Sequence, residues 1–201
     1  MAEIEGLIFD CDGTLADTMP LHWRAWQAVT ARHGFVFPEE RFYALGGVPT
    51  TEIFDLLIAE QGKQGFDVPT LAKEKEAAYT PLMLDVRRID LVVDIALAHH
   101  GRVPMAVASG GLKHVIEQVL EQLGIRQLFA AVVTSEDVAR NKPAPDIFLE
   151  AARRIGVAPE RCRAYEDTDL GLQAIRAAGM AAVDVRELLR EAAGPARSLN
   201  R

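Results

Sequence analysis

The stretch Leu7-Ile8-Phe9-Asp10-Cys11-Asp12-Gly13 passes from an uninterrupted apolar run straight into two carboxylates and a glycine. A short apolar run bounded by turn residues is how a strand covered on both faces reads. Asp10 and Asp12 then stand at the carboxyl end of that strand, where open α/β sheets place their ligands. Two carboxylates two residues apart, followed by a glycine that lets the backbone turn sharply, can hold a divalent cation and leave one acid free for proton transfer. Without a cation, that much negative charge in one place is costly. Strand alternation points the Cys11 side chain away from both acids and into the core.

The rest of the chain divides by periodicity. From Met19 to about Asp85 apolar residues recur at helical spacing and no strand is legible: Met19, Trp23, Trp26 and Thr30 line one face, and Ile53, Leu56, Leu57 and Glu60 another. Breaks at His33-Gly34, Leu45 to Pro49 and Gln61-Gly62, with a last helix from Thr70 to about Met83, predict four helices in a small bundle with the two tryptophans in its core. After Arg87, helices alternate with short apolar strands, the pattern of βαβ units and a parallel sheet. Strands are expected at 104–108, 130–134, 162–165 and 181–185, and helices at 89–100, 112–123, 145–155 and 170–178, each followed by glycine. The residues after Val185 read as a helical turn, Glu187-Leu188-Leu189-Arg190, and a mobile end at Gly194-Pro195. The expected architecture is α/β: a doubly wound, Rossmann-like parallel-sheet core from residues 1–16 and 88–201, with a small helical cap inserted at 17–87.

The first four predicted strands each lead into polar residues. Strand one ends at Asp10 and Asp12, strand two at Ser109-Gly110-Gly111 and strand four at Glu166-Asp167, while strand three leads to Asn141-Lys142-Pro143. Parallel strands put their carboxyl ends on one side of the sheet, so these groups converge. Two acid pairs, a hydroxyl beside glycine N–H groups and one lysine make a site for a dianion plus a divalent metal. Lys142 is a point charge that offsets nucleophile and phosphate together. Taken singly, each residue has a plainer reading: turn or cap residues for the acids, a helix N-cap for Ser109, a solvated loop lysine for Lys142.

Charge and composition narrow the classes. A net charge of −7 leaves no basic stripe for nucleic acid. The most apolar internal run, Leu91 to Ala98, is short and broken by Asp94, so no membrane span is expected. Cys11 and Cys162 both lie in apolar, strand-like runs, and Met1-Ala2-Glu3-Ile4-Glu5 carries no secretory apolar segment; a reducing, cytoplasmic setting is expected.

In order and spacing, Asp10-Cys11-Asp12-Gly13-Thr14, Ser109, Lys142-Pro143 and Glu166-Asp167 resemble the four motifs of the haloacid dehalogenase superfamily of phosphohydrolases. The helices after the first motif look like that superfamily's small helical cap, and the resemblance runs from Gly6 to about Arg186. Asp17-Thr18, His22, Arg24-Ala25-Trp26, Lys142-Pro143-Ala144-Pro145-Asp146 and Glu166-Asp167 look most like the branch of β-phosphoglucomutases and small sugar phosphatases, including fructose-1-phosphate phosphatases.

The resemblance implies that Asp10 attacks phosphorus to form an aspartyl phosphate, while Asp12 protonates the leaving sugar oxygen and later takes a proton from water. It implies Mg2+ held by the Asp10 carboxylate, the Asp12 carbonyl and Asp167, with Glu166 direct or through water. Thr14, Ser109, Gly110 and Lys142 would surround the phosphate.

His22 matches a hinge histidine that can approach Asp12, with an ordinary helix histidine as the other reading. The loop Gly46 to Thr51, with Gly47 and Thr50, would face the substrate or simply connect two helices. His33, His99, His100 and His114 have no metal-ligand spacing and read as surface residues. The mutases use a cap arginine and lysine for a distal phosphate, and the matching loop here has Gly46 and Thr50; Gly111, Leu112 and Lys113 stand where serine, lysine and asparagine often follow the second motif. Weak distal binding favours hydrolysis. The expectation is a magnesium-dependent phosphatase for a small phosphorylated sugar such as fructose 1-phosphate, as a monomer or weak homodimer. A β-phosphoglucomutase is the alternative. A receiver-type aspartyl-phosphate signalling module fits less well, since such modules take phosphate on the third strand and have no inserted cap.

Overall fold

The computed structural model describes residues 3–193. Five strands, β1 (Gly6–Phe9), β2 (Met105–Ser109), β3 (Ala131–Thr134), β4 (Cys162–Glu166) and β5 (Ala181–Asp184), pair in parallel in the order β3-β2-β1-β4-β5. β1 is central, and all four of its residues are buried. Its alternation divides the core. Leu7 and Phe9 join Met105, Val107, Val92 and Ile116 on one face, and Ile8 joins Ala106, Ile147, Phe148 and Ile175 on the other. Phe9 stacks on Tyr165 at 4.7 Å between ring centroids and meets Phe129 edge-on at 5.9 Å. Because β2 lies on one side of β1 and β4 on the other, the chain reverses direction across the sheet beside β1, where a crevice opens at the carboxyl ends.

Helices α1 (Met19–Arg32), α2 (Glu39–Ala44), α3 (Thr50–Glu60) and α4 (Val68–Tyr79) pack around a cluster of their own: Trp26, Val29, Phe35, Phe37, Phe42, Ile53, Phe54, Leu57 and Leu71. The chain leaves and re-enters the sheet layer at adjacent points. The Asp17 N–H donates to the Arg87 carbonyl at 2.8 Å, the Ile89 N–H to the Leu15 carbonyl at 2.9 Å, and Ala16 bridges to Arg88. Helices α5 (Asp90–His99), α6 (Lys113–Gln122), α7 (Asp146–Ile155), α8 (Asp169–Ala177) and α9 (Val185–Ala193) complete the α/β layers.

The differences from expectation are local. On α3 the buried stripe is Ile53, Phe54 and Leu57, whereas Leu56 is exposed, because Phe54 fills the space against Trp26. The last helix of the bundle starts earlier, at Val68, where the Asp67 carboxylate accepts from the Thr70 N–H at 3.0 Å. It gives way to a 3₁₀ segment, Thr80–Asp85, at Pro81, which has no N–H to continue the α-helical ladder. The expected turn after Val185 is the two-turn helix α9, and the Gly194-Pro195 end lies outside the described residues. Among those residues no helix is long and apolar enough to cross a membrane.

Truncating the stacked ring at the centre of the sheet should be severe. Phe9→Ala is expected to lower the unfolding free energy in urea by about 3–5 kcal/mol; a loss under about 1 kcal/mol would show that β1 is not the core of the sheet.

Candidate functional site

Lys142, in the segment after β3, reaches across the strand ends and donates to Asp10 Oδ1 at 2.6 Å and to Glu166 Oε2 at 2.7 Å. All three side chains are buried. Glu166 is anchored by its other oxygen, which accepts from the Thr168 N–H at 2.9 Å and hydroxyl at 2.7 Å. The Thr168 hydroxyl in turn accepts from the Gly171 N–H and so caps α8, which leaves the acid pair free of the capping role. Two glycines make room for these acids. A Cβ on Gly171 would overlap the Glu166 carboxyl, and one on Gly13, whose φ is +86°, would overlap that of Asp167.

Asp10, Glu166 and Asp167 each bring one oxygen within 4.8 Å of the others. Burial, and then the Glu166 charge, pushes Asp10 well above the usual carboxylate range despite Lys142. The same two causes raise Asp167 to about 7, against a hydrogen bond from the Thr14 hydroxyl. Burial works against the Lys142 charge, but Asp10 and Glu166 outweigh it and hold the lysine above its ordinary value. Three carboxylates around one ammonium leave a negative surplus on hard oxygen donors, and that chemistry fits a divalent cation such as magnesium.

Asp12 lies in a different field. It accepts from the Thr18 hydroxyl at 2.8 Å, and His22 Nε2 lies 3.5 Å from it. Lys75 Nζ donates to His22 Nδ1 at 2.9 Å, so the ring is assigned its proton on Nε2, facing Asp12. Burial would raise Asp12, but His22, Thr18 and Lys75 together bring it below the usual range. His22 is held below its ordinary value by burial and by Lys75. The Tyr79 ring stacks on His22 at 3.9 Å, and its buried hydroxyl has no partner among the described residues.

A cavity of about 370 Å³ separates the strand ends from the helical bundle. Asp10, Asp12, Ser109, Gly110, Lys142 and Glu166 line its floor, and His22, Gly47, Thr50 and Lys75 its roof. The structure thus brings the expected cavity residues together, with two qualifications. Thr14 is fully buried and is not among the cavity's lining residues; its hydroxyl donates to Asp167 at 3.0 Å. Asp167, which is half-buried, is also not among the lining residues. Ser109 is not the cap of α6: that helix begins after Leu112, and its Lys113 N–H is taken by Glu136 at 2.7 Å. The Ser109 hydroxyl accepts from the Gly111 N–H at 3.1 Å and lies 3.5 Å from Asp12 Oδ2. Cys11 faces the core, as alternation requires. His33 and His99 are half-buried and bonded, to Glu74 and to the Ile95 carbonyl, and are not free surface residues.

Lys75 and Tyr79 escaped the sequence reading. Lys73-Glu74-Lys75-Glu76 looks like a solvated charged face, yet Leu71, Lys75 and Tyr79 fall at four-residue spacing and are the buried stripe of α4. A lysine on an apolar stripe was the available signal.

The sequence pattern of the haloacid dehalogenase-like hydrolases matches residues 4–179. The chain is 45% identical over 183 residues to the fructose-1-phosphate phosphatase YqaB of Escherichia coli K12, covering 91% of this chain and 97% of that one. It is 29% identical to a β-phosphoglucomutase of Bacillus subtilis, covering 90% of this chain and 83% of the relative. The crystal structure of a β-phosphoglucomutase from Clostridium difficile superposes with a TM-score of 0.78 at 26% identity, over 90% of this chain and 84% of the other.

The raised Asp167 makes a pH prediction for metal-free protein. A carboxyl whose folded value lies above its unfolded one stabilises fully below about pH 4, and that contribution is lost as pH rises through about 7. Urea unfolding in EDTA is expected to show stability falling between these values, with a shallower fall in Asp167→Asn. Equal slopes would contradict the assigned field.

Proposed function

Because the chain belongs to the haloacid dehalogenase-like hydrolase family, we propose that it is a phosphatase that hydrolyses a small sugar phosphate, with fructose 1-phosphate the leading substrate, through an aspartyl phosphate on Asp10. The observation that carries this reading is the contrast between two acids two positions apart. Asp10 stands against Lys142 on the cavity floor, and Asp12 is turned to Thr18 and His22 at the roof. The 45% identity to a fructose-1-phosphate phosphatase supports the choice of substrate.

In this reading an Asp10 oxygen attacks phosphorus as the bond to the sugar oxygen breaks, and Asp12 delivers its proton to that oxygen. Asp12 is held ionised in the free protein, so an arriving phosphate dianion has to raise its proton affinity by like-charge repulsion. Once deprotonated, Asp12 takes a proton from the water that attacks the aspartyl phosphate, and phosphate leaves. Lys142 aims Asp10 and opposes the rise in its proton affinity, while the Ser109 hydroxyl and the Gly110 N–H offer donors to phosphoryl oxygens. Asp10, Asp167 and the Asp12 carbonyl would hold Mg2+, with Glu166 direct or through water. Bound there, the ion supplies positive charge to the nucleophile and the phosphoryl group.

We read residues 17–87 as a cap over a core of residues 1–16 and 88–201, with the paired crossings at Ala16-Asp17 and Arg87-Arg88 as its hinge. Among the described residues no arginine lines the cavity, which supports hydrolysis over a mutase that must grip a second phosphate. One observation favours the second reading: α4 supplies, in Lys75, a lysine that the loop at Gly46–Thr50 lacks. Incubation of β-glucose 1-phosphate with a bisphosphate primer separates the two, since a mutase forms glucose 6-phosphate faster than free phosphate.

A panel of phosphosugars should release phosphate with Mg2+ and not in EDTA. Asp10→Asn should lower kcat by about 10⁴-fold or more. Full activity in that variant would overturn the mechanism.

A further inference from the structure

The cavity roof carries a charged pair in which Lys75 supports His22, while Glu76 takes no part in the hydrolytic steps. Lys75, with its side chain only 4% exposed, directs two of its three N–H donors to His22 Nδ1 and Glu76 Oε1, each at 2.9 Å. Glu76 also lines the cavity, with about a third of its side chain exposed, and its carboxylate makes no other hydrogen bond among the described residues. At the floor, Lys142 is committed to Asp10 and Glu166. Both lysines that line the cavity among the described residues therefore already face carboxylates, and no described arginine adds charge there.

The roof is consequently neutral as a pair, with one ammonium donor and one carboxylate oxygen still free. Two neighbouring hydroxyls match that arrangement, one accepting from Lys75 and the other donating to Glu76. A second phosphate does not match: it would bring a dianion against the Glu76 carboxylate, and like charges in a partly dehydrated site repel strongly. Without Glu76, Lys75 would be a buried cation lacking its counter-charge and would attract such a group.

We propose that Glu76 is a specificity-determining residue that pairs with Lys75 to bind adjacent hydroxyls of a sugar monophosphate and to reject sugar bisphosphates. This rests on the sugar-phosphatase reading above and adds to it the means of choosing among sugar phosphates.

The test is the ratio of kcat/KM for fructose 1-phosphate to that for fructose 1,6-bisphosphate, in wild type and Glu76→Gln, with thermal melts to verify folding. Loss of one charged hydrogen bond should raise KM for the monophosphate about tenfold, and together with relief of repulsion the ratio should fall by about thirtyfold or more. A role confined to supporting Lys75, His22 and Asp12 would slow both substrates alike and leave the ratio unchanged, which would overturn the proposal. Should Glu76→Gln fail to fold, inhibition of p-nitrophenyl phosphate hydrolysis by the two sugars in wild type decides the matter. A bisphosphate at least about tenfold weaker as inhibitor is expected, and equal inhibition refutes it. If wild type hydrolyses p-nitrophenyl phosphate but no sugar phosphate, the substrate reading fails and Glu76 with it; sugar-phosphate turnover with an unchanged ratio removes Glu76 alone.

Discussion

One buried ammonium shared by carboxylates from two strand ends is the interaction on which the site depends. Lys142 binds Asp10 at the end of β1 and Glu166 at the end of β4, and it reaches them from the segment after β3. Removing one member of a buried ion pair typically costs about 3–5 kcal/mol, because the partner is left charged and dehydrated. The lysine thus ties three segments, distant in sequence, to one point and keeps a negative surplus there. That surplus goes with the raised Asp10 and Asp167, and it gives the floor an affinity for positive charge.

A second field, set by the helical bundle, acts on Asp12. Its partners Thr18 and His22 come from the approach to α1 and its first turn, and Lys75, on the buried stripe of α4, acts on it through His22 and by its charge. Neighbouring acids in opposed fields can divide nucleophilic and proton-transfer roles. The division crosses the boundary between sheet and bundle, so any movement at the Ala16–Arg88 bridge would change the Asp12 environment while leaving Asp10 with Lys142. The position of the helical bundle and the proton affinity of Asp12 are linked through that geometry.

The sheet and its polar ends were legible because parallel βαβ architecture leaves little freedom. Apolar runs at β1 to β5 and glycines after the helices mark the elements, and parallel connections bring Asp10, Ser109, Lys142 and Glu166 to one edge. Side-chain direction was harder. The spacing of the first motif does not report that the Thr14 hydroxyl is aimed at Asp167 after the turn at Gly13. Lys75 was hidden by the alternating charges around it, since local polarity masked the four-residue stripe that buries it. The 3₁₀ continuation after Tyr79 follows from one missing N–H at Pro81, and the early start of α4 from the Asp67 cap; both depend on single backbone bonds that periodicity does not report.

The central claim is that Asp10, held by Lys142, becomes the phosphorylated residue. Rapid quench of a single turnover into acid, followed by peptide mass mapping, tests it directly. The account predicts a transient, hydroxylamine-sensitive phosphoryl group on Asp10 that forms and decays at rates compatible with turnover. Phosphoryl transfer to Asp12 or another residue, or turnover with no such adduct despite a quench faster than catalysis, would contradict it.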